Sequence, residues 1–491
     1  MPYSIVIFGA SGDLTSRKLV PALYWLYRKR RLPDELKIVG FSRSPMDDEA
    51  WRDVLAESTA KFVGGHFDPD AWRKFARSIY YHAGDVANVE DFRALKQTLG
   101  RCEEGQPCVR VYYLATAPQF FETTVANLGA SGLAEGECGR QRLVVEKPFG
   151  TDLATARRLN EALHRTFREE QIFRIDHYLG KETVQNILVF RFANAIFEPV
   201  WNRNFIDHVE ITAAESVDVG RRAGYYESAG VLRDMFQSHL LQLLATVAME
   251  APSRFEASAV RNEKVKVLEA IRPWDPEDVA ANTVRAQYDG YRDEPGVAPD
   301  SQTATFAAVK LLVDNWRWQG VPFYLRSGKA MSCRTTQIVI QFRQPPHLMF
   351  NSSHARHLEA NRLVIQIQPD EGIQLHLQTK VPDAEMKLRL TELQFRFAEA
   401  FKSLPDAYEH LLLDVLEGDQ SLFARRDEVE LSWGIIDPIH HAWHELGLPE
   451  LATYERGGWG PKEASKWIWK DGRDWLDVCP VLREQPEEVA V

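Results

Sequence analysis

Residues 174 to 182, Arg-Ile-Asp-His-Tyr-Leu-Gly-Lys-Glu, set a carboxylate, an imidazole, a phenol and an ammonium within the six positions Asp176 to Lys181. That combination suits a site that binds an anion and moves a proton. If the segment opens a helix, His177 and Lys181 stand at i and i+4 and share a face. The N–H groups at a helix start would then add to the field on a bound phosphate. Asp176 points elsewhere and can orient a different group. A solvated charged turn is the competing reading, and the rest of the chain has to decide between them.

Other side chains could join that chemistry. From Val231 to Met249 the apolar residues Leu232, Met235, Phe236, Leu240, Leu243 and Val247 form one helical stripe, and His239 lies in it. Taken alone, such a histidine reads as a core residue bonded to backbone. Asp234, five residues earlier, falls at a different angle of an α-helix, so the two would touch different parts of a ligand. Glu215 follows a strand, His208 to Ala214. A further strand, Val321 to Leu325, runs into Arg326-Ser-Gly-Lys329 and then Arg334, cations that clamp an anion or line a solvated turn.

The elements that must position these groups are legible as strand endings. Tyr3 to Phe8 is a buried strand followed by Gly9-Ala-Ser11-Gly12-Asp13-Leu14 and a helical stretch from Arg17. Strand, glycine turn and helix is the setting of a dinucleotide phosphate site, with Gly9 for the turn and Gly12 for close backbone approach. The spacing is G-x-x-G, and Thr15 takes the third glycine's place; a plain tight turn is the alternative. The next strand, Lys37 to Phe41, ends in Ser42-Arg43-Ser44 with no acid for ribose hydroxyls, so Arg43 favours the 2′-phosphate of NADP, with NAD as a weaker alternative. Further strands end at Gly84-Asp85-Val86, at Ala115 and at Glu146-Lys147-Pro148, where Lys147 could reach both cofactor and substrate. Helices between them predict a doubly wound parallel sheet.

Beyond a loop at 291–301 the chain alternates with period two. Ile338, Ile340 and Phe342, then Leu363, Ile365 and Ile367, then Ile373, Leu375 and Leu377 predict an antiparallel meander with one buried face. His376 belongs to the polar face and reads as structural or exposed. The expected division is a dinucleotide domain over 1–175 and an α+β domain over 176–491, with a frayed acidic tail from Gln485 to Val491.

Composition removes some classes of function. The 491 residues carry a formal net charge of −11, which argues against nucleic acid or an anionic membrane as partner. The five cysteines (102, 108, 138, 333 and 479) are scattered without metal-ligand spacing, which predicts free thiols in a reducing cytoplasm. No apolar run is long enough for a membrane span, and no signal peptide is expected.

Taken in order, Gly9 to Leu14, Glu146-Lys-Pro148, Arg174 to Glu182, Arg233-Asp-Met-Phe-Gln-Ser-His239 and Arg326-Ser-Gly-Lys329 resemble the glucose-6-phosphate dehydrogenase family from near the first residue to near the last. The resemblance implies oxidation of D-glucose 6-phosphate at C1 to 6-phospho-D-glucono-1,5-lactone with reduction of NADP. This is the first step of the oxidative pentose phosphate pathway. It implies a Rossmann-like N-terminal domain, a larger α+β domain with a mainly antiparallel sheet, and a homodimer or homotetramer built through that sheet. By resemblance, His239 is the general base and Asp176 its carboxylate partner. His177, Tyr178 and Lys181 hold the phosphate; Glu215 and Asp234 bind sugar hydroxyls; Lys329 and Arg334 complete the substrate site. Lys18 and Lys147 lie where cofactor and substrate meet. Gly9, Ser11, Gly12, Asp13, Leu14, Arg43, Asp85, Val86 and Ala115 hold the cofactor, and no metal is called for. Thr335, Val339 and Gln366 stand where eukaryotic members carry basic residues for a second, structural NADP, so that site is not expected. The nearest rival is a sugar oxidoreductase of the glucose–fructose oxidoreductase type, which shares Glu-Lys-Pro but is not expected to carry the block at 174–182. A rival of another class is a catalytically silent NADP-binding sensor or scaffold, which would keep the glycine turn but has no reason to retain His239 with Asp176.

Overall fold

The computed structural model describes residues 2–136, 140–347, 349, 358–384, 386–401 and 404–479. Cys138 and the expected tail at 485–491 lie outside the described residues. The chain forms two compact units, and neither is one continuous stretch. The first comprises Met1–Lys181, Pro252–Asn262 and Pro405–Glu430; the second comprises Glu182–Ala251, Glu263–Leu404 and Leu431–Val491. Two later segments therefore return to the N-terminal unit, an arrangement that the 1–175 and 176–491 division did not anticipate. No helix among the described residues is long and apolar enough to cross a membrane.

The first unit is a doubly wound sheet. Strands β1 (Tyr3–Phe8), β2 (Leu36–Ser42), β3 (Ile79–Ala83), β4 (Val109–Leu114), β5 (Gln141–Val145) and β6 (Ile172–Ile175) are all parallel, in the order 3-2-1-4-5-6. A two-residue strand, Phe423–Ala424, pairs antiparallel beside β6. Central strands such as Ser-Ile-Val-Ile-Phe are buried on both faces, because helices cover both sides of a parallel sheet. Caps start those helices where the sequence provides them. Asp47 accepts from the Ala50 N–H at 2.8 Å, and Asp152 with Thr155 forms a reciprocal box before Leu153–His164. The strand order reverses between β1 and β4, and such a switch point opens a crevice at the carboxyl ends of the strands.

The second unit is built on a nine-stranded, mainly antiparallel sheet. Its labelled strands are β7 (Ile206–Ala214), β8 (Thr283–Tyr288), β9 (Phe306–Leu312), β10 (Pro322–Gly328), β11 (Thr335–Phe342), β12 (Arg362–Gln368), β13 (Gly372–Lys380) and β14 (Leu388–Arg396). They run 14-13-12-11-7-10-9-8, and Leu451–Tyr454 adds a last parallel strand beside β8. The predicted strands pair as an antiparallel meander, continued by β14, but burial does not keep to the apolar face. Gln337 and Gln366 are buried along with the apolar residues of β11 and β12, and in β13 Gln374 and His376 are buried while Ile373, Leu375 and Leu377 are only half-buried. His376, expected to be structural or exposed, is structural, with Nε2 against Gln374 Oε1 at 2.9 Å.

Part of that polar face is covered by the chain's C-terminal strap. Leu476 N–H donates to Glu210 Oε2 at 2.9 Å, Gln337 Nε2 donates to Leu476 O at 3.1 Å, and Arg326 pairs with Asp477 at 2.7 Å. Arg326, almost wholly buried with Trp475 packed over its guanidinium, is thus a structural residue and not an anion clamp. The strap ends in a disulfide between Cys333 and Cys479. The expectation of free thiols throughout is corrected there: sequence distance hid two cysteines that folding brings together. Cys102 and Cys108 remain thiols. Thr335 accepts from Gln366 Nε2 at 2.8 Å, and Val339 packs against Leu476 and Val478, so these positions are filled by partners from the same unit.

Candidate functional site

In the first unit the strand ends converge as the sheet order requires. Gly9 has φ +93°, and a Cβ there would stand 2.5 Å from Ala115 O, so only glycine fits. The Gly12 N–H closes the turn on Gly9 O at 2.9 Å. Thr15 is not a substitute for a third glycine. It is buried, and its hydroxyl donates to Gly9 O at 3.1 Å, pinning the turn.

A cavity of about 530 Å³ opens beside this turn, lined by Gly9, Ser11, Ser42, Arg43, Ser44, Asp85, Val86, Thr116 and Phe120 among others. Ser42 Oγ bonds Ser11 Oγ and Tyr81 Oη, each at 3.0 Å, and Tyr81 donates to Ser44 O at 2.7 Å. The backbone around Arg43 is therefore fixed while its side chain is exposed. The glycine cradle, the size of the cavity and the exposed cation at the end of β2 fit a dinucleotide. Of the expected cofactor residues, Gly9, Ser11, Arg43, Asp85 and Val86 line the cavity. Gly12, Asp13, Leu14, Lys18, Ala115 and Lys147 are not among its lining residues. Lys18 instead pairs with Asp406 at 2.9 Å. Phe120 and Thr116 were missed; their only signal is that they follow a strand ending.

The block at 174–182 divides by role. Arg174 is fully buried and structural, bonded to Glu169 at 2.7 Å and Asn160 at 3.0 Å. Residues 177–181 form a turn, and the helix begins at Glu182, so the expected i, i+4 helical face does not exist. Asp176 explains why: its Oδ1 accepts the Tyr178 N–H at 3.0 Å, a local bond that holds a turn in place of the first helical turn. The turn achieves the juxtaposition by another route. Lys181 Nζ lies 4.5 Å from the Tyr178 ring centroid, and the His177 and Tyr178 rings are 5.1 Å apart. Gly180 is required because a Cβ would meet Ala407 O at 2.8 Å. At the end of β5, Glu146 Oε1 accepts from Tyr113 at 2.5 Å, and Lys147 follows with a cis peptide to Pro148.

The second unit gathers the remaining candidates. The predicted helix from Val231 is present, but Leu232–Leu240 is wound as a π-helix before α-helix resumes at Leu241. The Leu241 N–H reaches back five residues to Phe236 O. In that winding, residues five apart lie one above the other, so Asp234 and His239 share a face, contrary to the α-helical expectation. His239 is buried. Lys329, just beyond β10, forms a close ion pair with Glu215 and lies 3.8 Å from Asp234. Tyr226, missed in the sequence, packs its ring 5.5 Å from Lys329 Nζ. Arg334 is exposed. Two carboxylates around one buried ammonium make a polar cluster able to hold hydroxyl groups, and a buried imidazole on the same helix can accept a proton.

A glycine cradle at the switch point of a parallel sheet, with acid, imidazole and ammonium at its strand ends, defines a dinucleotide-binding oxidoreductase. Comparison with known proteins narrows the class. Models of the glucose-6-phosphate dehydrogenase NAD-binding domain and C-terminal domain match residues 6–186 and 188–476. Glucose-6-phosphate 1-dehydrogenase of Aggregatibacter actinomycetemcomitans is 45% identical over 497 residues, covering 98% of each chain. A solved glucose-6-phosphate dehydrogenase in complex with glucose 6-phosphate superposes with a TM-score of 0.89 at 37% identity, over 96% of this chain and 98% of that one. The Mycobacterium avium enzyme gives 0.86 at 35% identity, over 98% and 99%. The chain belongs to the glucose-6-phosphate dehydrogenase family.

Proposed function

We infer that this chain oxidises D-glucose 6-phosphate at C1 to 6-phospho-D-glucono-1,5-lactone, with NADP as the preferred hydride acceptor and NAD as a weaker one. The observation that carries this reading is the Asp176–Lys181 turn, which holds phosphate-binding donors and a carboxylate in one locally bonded segment. Hydride departs from C1 only as the O1 proton is removed, so a base must meet O1. In this reading His239 is that base, and Asp176 fixes its tautomer and stabilises the imidazolium. His177, Tyr178 and Lys181 bind the phosphate, which is remote from the chemistry and supplies energy that positions C1. Glu215 and Asp234 accept from sugar hydroxyls, while Lys329, Arg334 and Lys147 complete the substrate's surroundings. Gly9, Ser11, Gly12, Asp13, Leu14, Lys18, Asp85, Val86 and Ala115 cradle the cofactor, and Arg43 meets its 2′-phosphate. When bound, the nicotinamide supplies the acceptor for the hydride.

The same reading makes the chain a homodimer or homotetramer built through the larger sheet. In support, the edge strand β14 exposes Leu393 and Phe395, apolar side chains that a partner would cover. The test is one set of initial-rate assays with glucose 6-phosphate and with free glucose, each with NADP and NAD. Reduced cofactor should appear with the phosphorylated sugar and rise faster with NADP. An undiminished rate with free glucose would sink the phosphate role of the turn.

A further inference from the structure

The carboxyl of Glu146 is held by two phenols from distant parts of the chain. Tyr113, near the end of β4, is fully buried and donates to Glu146 Oε1 at 2.5 Å. Tyr408 donates to the same oxygen at 3.3 Å across a separation of 262 residues. Tyr408 sits in the first turn of the helix Ala407–Glu417, which belongs to a segment that returns to the first unit. That helix is itself anchored. Asp406 caps it, accepting from the Tyr408 N–H at 3.0 Å, and pairs with Lys18 at 2.9 Å; Glu409 pairs with Lys29 at 2.5 Å. The parallel sheet needs none of this, since β5 is already packed through Leu143, Val144 and Val145. What sets Glu146 apart is its neighbours: Lys147 follows it in the chain, and Asp176 ends the adjacent strand β6 close enough for its charge to act on Glu146.

We propose that Tyr113 and Tyr408 clamp Glu146 so that the strand end bearing Lys147 keeps a single arrangement beside Asp176. Tyr113, Tyr408 and Glu146 are then positioning residues for the hydride transfer. The inference rests on the reading of Lys147 and Asp176 as site residues. Such a clamp fixes charge as well as shape. The groups facing the Glu146 carboxyl are Tyr113 from β4, Tyr408 with Asp406 behind it from the returning helix, Asp176 from the end of β6, and Lys147. Burial raises the Glu146 carboxyl to about 7; the two phenols oppose that rise, the Asp176 carboxylate adds to it and the Lys147 ammonium opposes it. A protonated Glu146 leaves the Lys147 charge directed at anionic ligands. An ionised one offsets that charge and repels Asp176. Turnover should therefore fall as Glu146 loses its proton.

The test uses the full-length enzyme and its Glu146→Gln and Tyr408→Phe variants. Initial rates are measured from about pH 6 to pH 9, with carboxyl infrared difference spectra across the same range. Glutamine keeps the shape but cannot ionise, so the fall in kcat through neutrality should vanish, leaving the rise that the His239 base gives as it loses its proton, and the protonated-acid C=O band should vanish with it. Phenylalanine removes one donor to the ionised form, so the fall should move to higher pH. It should also lower kcat by about 3–30-fold, with KM for glucose 6-phosphate nearly unchanged. Variants whose profiles keep the wild-type fall, or are lowered equally at every pH, would mean a merely structural role and overturn the clamp. If Tyr408→Phe does not fold, Tyr113→Phe makes the same comparison. Asp176→Asn separates the two layers: wild-type kcat in that variant defeats the underlying site reading. Its loss alongside unshifted clamp profiles defeats only the clamp.

Discussion

His239 shows how one residue's setting decides its meaning. A histidine on an apolar stripe is usually held there by backbone, yet this one lies in a π-wound segment, and such segments concentrate at functional sites. Burial keeps the imidazole from water, and neutrality is the form a base needs. His239→Asn should lower kcat by about 10²–10⁴ with little change in KM for glucose 6-phosphate. A variant within tenfold of wild type would remove His239 from the role. Arg43 makes a different kind of claim, about discrimination. Its exposed guanidinium stands on a backbone fixed by Ser42 and Tyr81, so it should engage a phosphate that NAD lacks. A charge-assisted bond of about 1.5–3 kcal/mol predicts that Arg43→Ala loses roughly 10- to 150-fold in kcat/KM for NADP. The loss for NAD should stay within about twofold. Equal losses would count against the contact.

At the scale of elements, the returning helix Ala407–Glu417 carries a testable strain of charge. Burial raises the Asp414 carboxyl to about 7, from an ordinary 3.8, with Asp419 and Glu417 adding to the rise. Below the ordinary value the group is protonated in folded and unfolded chains alike. As pH climbs towards 7 the unfolded chain releases a proton that the folded one keeps, so stability is lost through that window and the loss is complete above it. Asp414→Asn cannot ionise. It should stabilise the first unit by on the order of 2–4 kcal/mol near pH 8 and by almost nothing near pH 4. Urea denaturation at the two pH values decides it; an equal effect at both would refute the assignment.

That helix also marks the limit of what the sequence could reveal. Strands β1 to β5 were legible because buried parallel strands are short apolar runs that end in characteristic turns. Strands β11 to β13 of the meander were legible because their side chains alternate. Segments 252–262 and 405–430 were not legible as parts of the first unit, since their membership is set by packing and no local pattern encodes it. The π-winding at 232–240 was hidden because its apolar residues also satisfy an α-helical stripe. The turn at 177–181 was hidden because Asp176 can end a strand or cap a helix with equal ease. The residue types of the candidate site were readable; the partners that hold them, such as Tyr226 beneath Lys329 and Tyr408 on Glu146, were not.

For the molecule as a whole, the disulfide Cys333–Cys479 is the covalent link between distant parts of the chain among the described residues. It joins two cysteines of the second unit across a sequence separation of 146 residues, from the segment after Lys329 to the strap across the polar sheet face, and the chain between them includes Pro405–Glu430 of the first unit. The chain-entropy argument gives about 5 kcal/mol for a loop of that length, and measured values more often fall at about 2–4 kcal/mol. The strap keeps its other attachments, including Arg326–Asp477 and Arg473–Asp207 at 2.8 Å, so reduction should leave the enzyme folded at room temperature. It should still lower the unfolding midpoint by several degrees. Cys479→Ser should show the same loss and no further response to a dithiol reductant. Thiol titration of the denatured, unreduced protein should fall two short of the five cysteines in the sequence. Finding all five reactive, or a midpoint that reductant does not move, would show that the two cysteines are not joined in solution and that the polar bonds alone hold the strap.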